Sequence, residues 1–533
     1  MATVSRPILI TALAATASGL GVAGLTAFFR WASADLYPVS DQAILEIYTL
    51  HAVRGFWALG PYSQFGWHHP GPLYFYLLAP FYALSGHKTI ALHIGAFAIN
   101  MLSLCGIVYL LIRNASAAVT CLAVLMMGFY LSRLEPVMTS YWNPHIVILP
   151  SALYLLLCAS VAAGHRSALP ASIAVGAFLV QTHISLAPYV VLLGCGALVA
   201  AIRSTIFSPP SDRSLRRTLI ASLGVLLLLW LPPIVEQATH SPGNITRVAR
   251  FFAAPSSGQS LRTAMAVWGD MVCGVFRRQL DLPEGVPLQL EVESITSTGL
   301  GAIAQALLLA ALCLDAYRRQ DSSSCALTAA GLLASLAALW SITRVQSLVG
   351  DYTIFWLSAV GALNWAVGGG VMLARLTGPR LRMLQRVAAL GASALVIWLG
   401  IHLGIDQLKR ERRQGLLRQR DSARVVQLAA AAILDDMQRA HAHRPLFHLS
   451  TADWTAAAGI LLQVYKRGSP PAVDPDLVTW FGEPFARNGQ EDRSFVITDA
   501  ATQARLRELP AGDSLPGVER LYIYASPIVP PAR

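Results

Sequence analysis

Long apolar runs, broken by short polar and turn-rich stretches, set the rhythm of this chain from residue 7 to residue 405. Eleven windows approach the roughly 20 apolar residues that a helix needs to cross a bilayer, and each predicts a membrane span. They lie near 7–29, 89–112, 115–131 and 144–163, then as a pair within 169–202, where Thr182-His183 and Pro188 break a longer run. The rest lie near 219–235, 300–316, 326–342, 352–374 and 387–405. The first is too long for a typical signal-peptide core and shows no clear cleavage site, so it reads as a retained helix. Past residue 407 the pattern changes. Segments such as PLFHLST, RSFVITDA and ERLYIYAS read as short strands, alternating with helical stretches around 423–440 and 454–465.

The expected fold class is therefore mainly α: a polytopic transmembrane bundle of about 11 spans over residues 1–407, with a small α/β domain over 408–533. Basic residues orient the bundle. Arg113, the pair His165 and Arg166, the group Arg203, Arg213, Arg216 and Arg217, then Arg318, Arg319, Arg375, Arg380, Arg382 and Arg386 fall on one set of loops. The opposite loops carry far fewer, Arg133 and Arg344 among them. The first set is cytoplasmic by the positive-inside rule. That places two long loops, 30–88 and 236–298, on the outside, and with them the C-terminal domain. The basic run KRERRQGLLRQR at the start of that domain argues against this side, but long domains translocate largely regardless of charge.

Composition agrees. Only 13% of residues are charged, against about 25% in an ordinary soluble protein. The net charge of +11 follows from the cytoplasmic arginines and does not point to nucleic acid. Seven cysteines, most of them inside apolar spans, form no CxxC pair and read as small buried hydrophobes rather than a disulfide or metal framework.

The chemistry concentrates in the first outward loop, SDQAILEIYTLHAVRGFWALGPYSQFGWHHPGPLYFYLLAPFYALSG. Asp41 stands just beyond the first span. It reads either as a general base that takes a proton from an attacking hydroxyl, or, with Ser40, as the cap of an amphipathic helix. Glu46 reads as solvated or structural. His68 and His69 cannot face one way on a helix or strand, so a two-ligand metal site is weak. Either one of them hydrogen-bonds a phosphate or sugar, or the pair is structural. Pro70 and Pro72 fix the chain where it re-enters the membrane, and Tyr74, Phe75, Tyr76, Phe81 and Tyr82 read as an interfacial aromatic belt.

Asp41 after the first span, the amphipathic segment and the run His69-Pro70-Gly71-Pro72-Leu73-Tyr74-Phe75-Tyr76 together resemble the GT-C membrane glycosyltransferases. The likeness is to the branch of aminoarabinose transferases, protein O-mannosyltransferases and arabinofuranosyltransferase-like proteins. It covers about the first 240 residues, and the span layout beyond them more loosely. The resemblance implies a sugar moved from a polyprenyl-phosphate donor to an acceptor hydroxyl on a glycan, lipid or protein, with inversion, at the outer face of the cell membrane. It makes Asp41 the catalytic acid-loop residue. The family pairs that Asp with Glu, where this chain has Gln42, and Asn143 stands where a second-loop Asp is usual; Glu135 is the remaining acid of that loop. No cofactor is read from the sequence. A divalent cation is the one candidate, and Gln42 and Asn143 leave it short of carboxylates.

Further candidates for substrate contact are His183 at the outward turn within 169–202, Arg247 in the second long loop, and Arg344 and Tyr352 in the short loop after 326–342. Arg247 lies three residues before Arg250, on one helical face; the pair could bind phosphate or anchor the loop at the interface. Arg344 is the candidate for neutralising a lipid phosphate. Two other readings compete: a lipid or sugar transporter or flippase, and a non-catalytic assembly protein with the same fold. Few charges inside the spans and no visible internal repeat weigh against a carrier.

Overall fold

The computed structural model describes residues 36–207, 212–254, 258–276, 295–346, 349–375, 415–450, 454–468, 471–499, 513–515 and 521–528. The expected spans at 7–29 and 387–405 lie outside them. Helix α1 (Ser40–Arg54) is followed by a hairpin of β1 (Tyr62–Ser63) and β2 (Trp67–His68), and then by α2 (Leu73–Leu84). The bundle proper comprises α3 (Ile90–Asn114), α4 (Ala117–Arg133), α5 (Asn143–Ile146), α6 (Ile148–Ala162), α7 (Leu169–Thr182), α8 (Ala187–Phe207) and α9 (Asp212–Thr239). After α10 (Asn244–Ala253) and α11 (Leu261–Val272) it is completed by α12 (Ile295–Arg318), α13 (Ser322–Thr343) and α14 (Trp356–Arg375).

Seven of the described helices are long and apolar enough to cross a membrane, and the chain is a multi-pass membrane protein. Two expected spans are shorter than a crossing. Helix α4 has 17 residues, and α7 has 14, about 21 Å at 1.5 Å per residue against a hydrocarbon core of about 30 Å. The α7 helix stops because His183 adopts an extended conformation, φ −153° and ψ 108°, and the chain turns there. Pro144 sits in the first turn of α5, where its missing N–H costs nothing. The Asp321 carboxylate caps α13 by accepting from Ser324 N–H at 3.1 Å.

Helices α5 and α6 form the central rod: 89% of their span is buried, against 11% for peripheral α9, whose Leu223, Leu227, Leu228 and Leu231 face outward. Around that rod pack α3, α7, α8, α13 and α14. On α14, Gly361 lets the helix approach α11 closely: a Cβ there would stand 2.6 Å from the Val272 carbonyl oxygen.

Two expectations for the first loop change. Helix α1 is not amphipathic in the solvent-facing sense: Ala43 to Ala52 are all buried. One face packs on α2 and the other is covered by the C-terminal domain. Three of the five aromatics expected as an interfacial belt are core residues instead. The aromatic run forms α2, and Tyr74, Phe75 and Tyr82 are fully buried because α1, α3 and α7 enclose that helix. All seven cysteines are free.

The C-terminal domain has α15 (Gly415–Arg439), β3 (Pro445–Ser450), α16 (Trp454–Lys466), β4 (Ala472–Val473), α17 (Val478–Phe481), β5 (Arg493–Asp499), β6 (Asp513–Ser514) and β7 (Leu521–Pro527). The sheet order is β4-β3-β5-β7-β6; β3 is parallel to β4 and β5, and β7 antiparallel to β5 and β6. Helix α16 supplies the β3-to-β4 crossover that parallel strands require. Phe447 and Phe495, stacked at 5.4 Å, centre the core, and Arg493 makes a two-pronged ion pair with Asp436 on α15 at 2.8 and 3.0 Å.

Candidate active site

Asp41 occupies the first turn of α1. It does not cap the helix; the N-cap is Val39, with no side-chain cap bond. Its carboxylate is held instead by two donors from elsewhere. Tyr62 on β1 donates its hydroxyl to Oδ1, and Trp142, just before α5, donates its indole N–H to Oδ2 at 2.9 Å. A carboxylate offers about four acceptor positions, so two remain for substrate. Burial and the neighbouring Asp41 charge push the Tyr62 phenol far above its ordinary value, which keeps it a proton donor to Asp41.

Asp41 opens into a cavity of about 1020 Å³. The same cavity is lined by His69, Asn143, His183, Arg344 and Tyr352, so six of the nine residues singled out from the sequence meet on one space. Arg344 is the only lysine or arginine, and Asp41 the only carboxylate, among the described residues that line it. Arg344 lies beside the Trp340 ring, 5.9 Å from its centroid, and Tyr352 packs on Trp142 at 5.9 Å. Asn143 donates to the Thr182 carbonyl at 3.4 Å and joins α5 to the end of α7. The His69 and His183 rings pack against each other, tilted by 32°, with centroids 4.8 Å apart.

Two candidates, His68 and Arg247, stand elsewhere, and a third, Glu135, has its side chain outside the described residues. His68 is buried behind the hairpin. Its Nδ1 pairs with the Gly60 carbonyl at 3.1 Å, its backbone N–H donates to Asn244 Oδ1 at 2.8 Å, and burial pushes its pKa from 6.5 to about 4. The packing follows from geometry: adjacent histidines on a strand point to opposite sides, so only His69 reaches the cavity. Arg247 is exposed and turns back to donate to the Pro242 carbonyl at 3.2 Å, outside the cavity lining. Glu135 begins the short 3-10 turn Glu135–Met138.

Sequence reasoning passed over Tyr62, Trp142 and Ser185. Trp142 carried a signal, because the following Asn143-Pro144 marks a helix start and leaves residue 142 facing the loop. Gln181, noted only as part of a polar turn, is a brace: it accepts from Leu73 N–H at 3.2 Å and donates to the Leu229 carbonyl at 2.8 Å, fixing α2, α7 and α9 together.

A divalent cation fits this site poorly. Among the described residues that line the cavity it would find one carboxylate, already engaged by Tyr62 and Trp142, and no group of three or more His, Cys, Asp or Glu converges among the described residues.

Two solved structures share this architecture over nearly their whole length. Both are ArnT from Cupriavidus metallidurans, one bound to undecaprenyl phosphate (14% identity, TM-score 0.53) and one in the apo state (12% identity, TM-score 0.52). Each match covers 95% of this chain and 97% of that one. The fold is of the GT-C type. At these identities the likeness speaks for fold and not for substrate. No protein-family model and no curated protein matches the chain.

Proposed function

We propose that this protein is a membrane glycosyltransferase that moves a sugar from a polyprenyl-phosphate donor to an acceptor hydroxyl at the outer face of the cell membrane. One observation carries the reading: among the described residues that line the cavity, one carboxylate with free acceptor capacity, Asp41, and one arginine, Arg344, face the same space. That is the pair of groups the transfer needs. The acceptor O–H gives its proton to Asp41 while its oxygen attacks the anomeric carbon. The bond from that carbon to the phosphate oxygen breaks on the opposite face, so the sugar inverts, and the electron pair leaves on the lipid phosphate. Arg344 balances the charge that collects there. The ArnT structure bound to undecaprenyl phosphate supports a lipid phosphate as the donor's leaving group.

The cavity sits at the bundle end that the charge pattern assigns outside, and the C-terminal domain packs against α1 at that end, which supports an extracytoplasmic domain. The acceptor is a glycan, lipid or protein hydroxyl. In the test, purified protein is incubated with a panel of polyprenyl-phosphate sugars and release of the lipid phosphate is followed. Asp41→Asn should reduce release at least 1000-fold, on the order of 4 kcal/mol in the barrier, while the protein still inserts and binds lipid. Full turnover by that variant would sink the role of Asp41, and no release from any donor by the wild type would favour the transporter or assembly-protein reading.

A further inference from the structure

His69 and His183 present more than two rings to the cavity, because their surroundings settle where each proton sits. His69 Nδ1 receives the backbone N–H of Ile184 at 3.1 Å. An amide N–H can only donate, so this nitrogen is bare and the ring proton is on Nε2. His183 Nδ1 lies 2.7 Å from Ser185 Oγ. The single Ser185 hydroxyl proton goes to the Thr353 carbonyl, 2.7 Å away, so Oγ accepts from His183 and Nδ1 is the protonated nitrogen. The neutral His183 ring therefore has a bare Nε2. Among the described residues each ring makes its hydrogen bond through Nδ1 and none through Nε2, although both residues are more than nine-tenths buried in the cavity wall. One packed pair of rings thus shows the cavity one N–H donor and one lone pair.

Such a pair suits a hydroxyl, which both accepts and donates, and does not suit an anion, which the bare nitrogen repels. Charging the pair does not rescue an anion site. Protonating His69 would break its bond from Ile184, and burial already holds its pKa well below 6.5 and that of His183 at about 4. We propose that His69 and His183 form a subsite for sugar hydroxyls, His69 Nε2–H donating and His183 Nε2 accepting, and that the phosphate is left to Arg344. This rests on the transferase reading above and names the part of the substrate that each group takes.

The test measures binding of undecaprenyl phosphate and of the same lipid esterified to glucose, mannose or arabinose, using the full chain in detergent. The wild type should bind at least one sugar-bearing lipid more tightly than the bare lipid. His183→Phe should cut that advantage about fivefold to tenfold, the worth of one buried hydrogen bond, and leave the bare lipid's affinity alone. Ser185→Ala keeps the imidazole and frees its tautomer, so it should erode the same advantage even if the Phe variant folds poorly. Nitrogen NMR of labelled histidine should report Nε2–H on His69 and Nδ1–H on His183. Equal weakening of bare and sugar-bearing lipid, an unchanged sugar advantage, or the opposite tautomers would each overturn the subsite. A loss confined to a free glycan acceptor would overturn its assignment to the donor. If the wild type binds neither lipid, it is the transferase reading itself that fails.

Discussion

Asp41 sits at the helix start, yet its orientation comes from two residues that the chain brings from far away. Tyr62 and Trp142 grip one carboxylate oxygen each, and Tyr62 is itself stacked at 5.5 Å on Trp480 of the C-terminal domain. A hydrogen bond to a charged group contributes about 1.5–3 kcal/mol. Trp142→Phe and Tyr62→Phe keep ring volume and remove one donor each, leaving the carboxylate free to swing. Either change should lower kcat about tenfold to a hundredfold with KM for the lipid donor nearly unchanged, because the lost bond aims the base and does not hold the donor. A rise in KM with kcat intact would show that these residues bind substrate instead.

At the scale of elements, apolar length alone marked most of the bundle. Helices α3, α8, α9, α12, α13 and α14, and α5 with α6, lie within a few residues of the expected windows, because a continuous apolar run has few other ways to satisfy its backbone in a membrane. The same rule misjudged α2, since apolar aromatics read alike whether they face headgroups or a protein core. Of the site, His69, His183 and Arg344 were legible as polar groups at outward turns, and Asp41 as the acid after the first span. Tyr62 and Ser185 were not, because a tyrosine or serine gains its role only from its hydrogen-bond partner. The pairing of α1 with the C-terminal domain was out of reach for the same reason: His51 Nδ1 meets Tyr465 Oη at 3.0 Å across 414 residues of sequence, and its Nε2 meets the Phe481 carbonyl at 3.0 Å. Burial drives the His51 pKa from 6.5 to about 4, with Arg54 adding to the shift. His68, His69 and His183 shift the same way. Above pH 6.5 these rings are neutral folded or unfolded and stability is flat. As pH falls from 6.5 towards 4 the unfolded chain takes up protons that the folded chain refuses, so stability drops, by up to about 3 kcal/mol for His51. Thermal unfolding followed in detergent across that range should show the decline, and His51→Gln should flatten its slope by one proton.

For the molecule as a whole, the joint between bundle and C-terminal domain decides whether α1 is held. Glu46, fully buried on α1, takes an ion pair from Lys466 at the end of α16 and hydrogen bonds from Tyr82 at 2.8 Å and Thr89 at 3.1 Å. Tyr48 donates to the Trp480 carbonyl, and Arg54 to that of Tyr465 at 3.0 Å, so with His51 four points along α1 are tied to the domain. Lys466→Ala would leave the Glu46 carboxylate buried without its counter-charge, a loss of about 3–5 kcal/mol in comparable pairs. That loss arises from the stranded charge more than from the missing attraction. Neutralising both partners, Glu46→Gln with Lys466→Met, should therefore recover most of it, since Gln still accepts from Tyr82 and Thr89. The single variant should unfold at lower temperature, release the C-terminal domain faster under limited proteolysis and lose turnover, because α1 carries Asp41 and the domain supports Tyr62. The double variant should restore all three together. A double variant as unstable as the single one would mean that the pair's net attraction holds the joint, and a single variant with wild-type turnover would mean that Asp41 keeps its place without the domain.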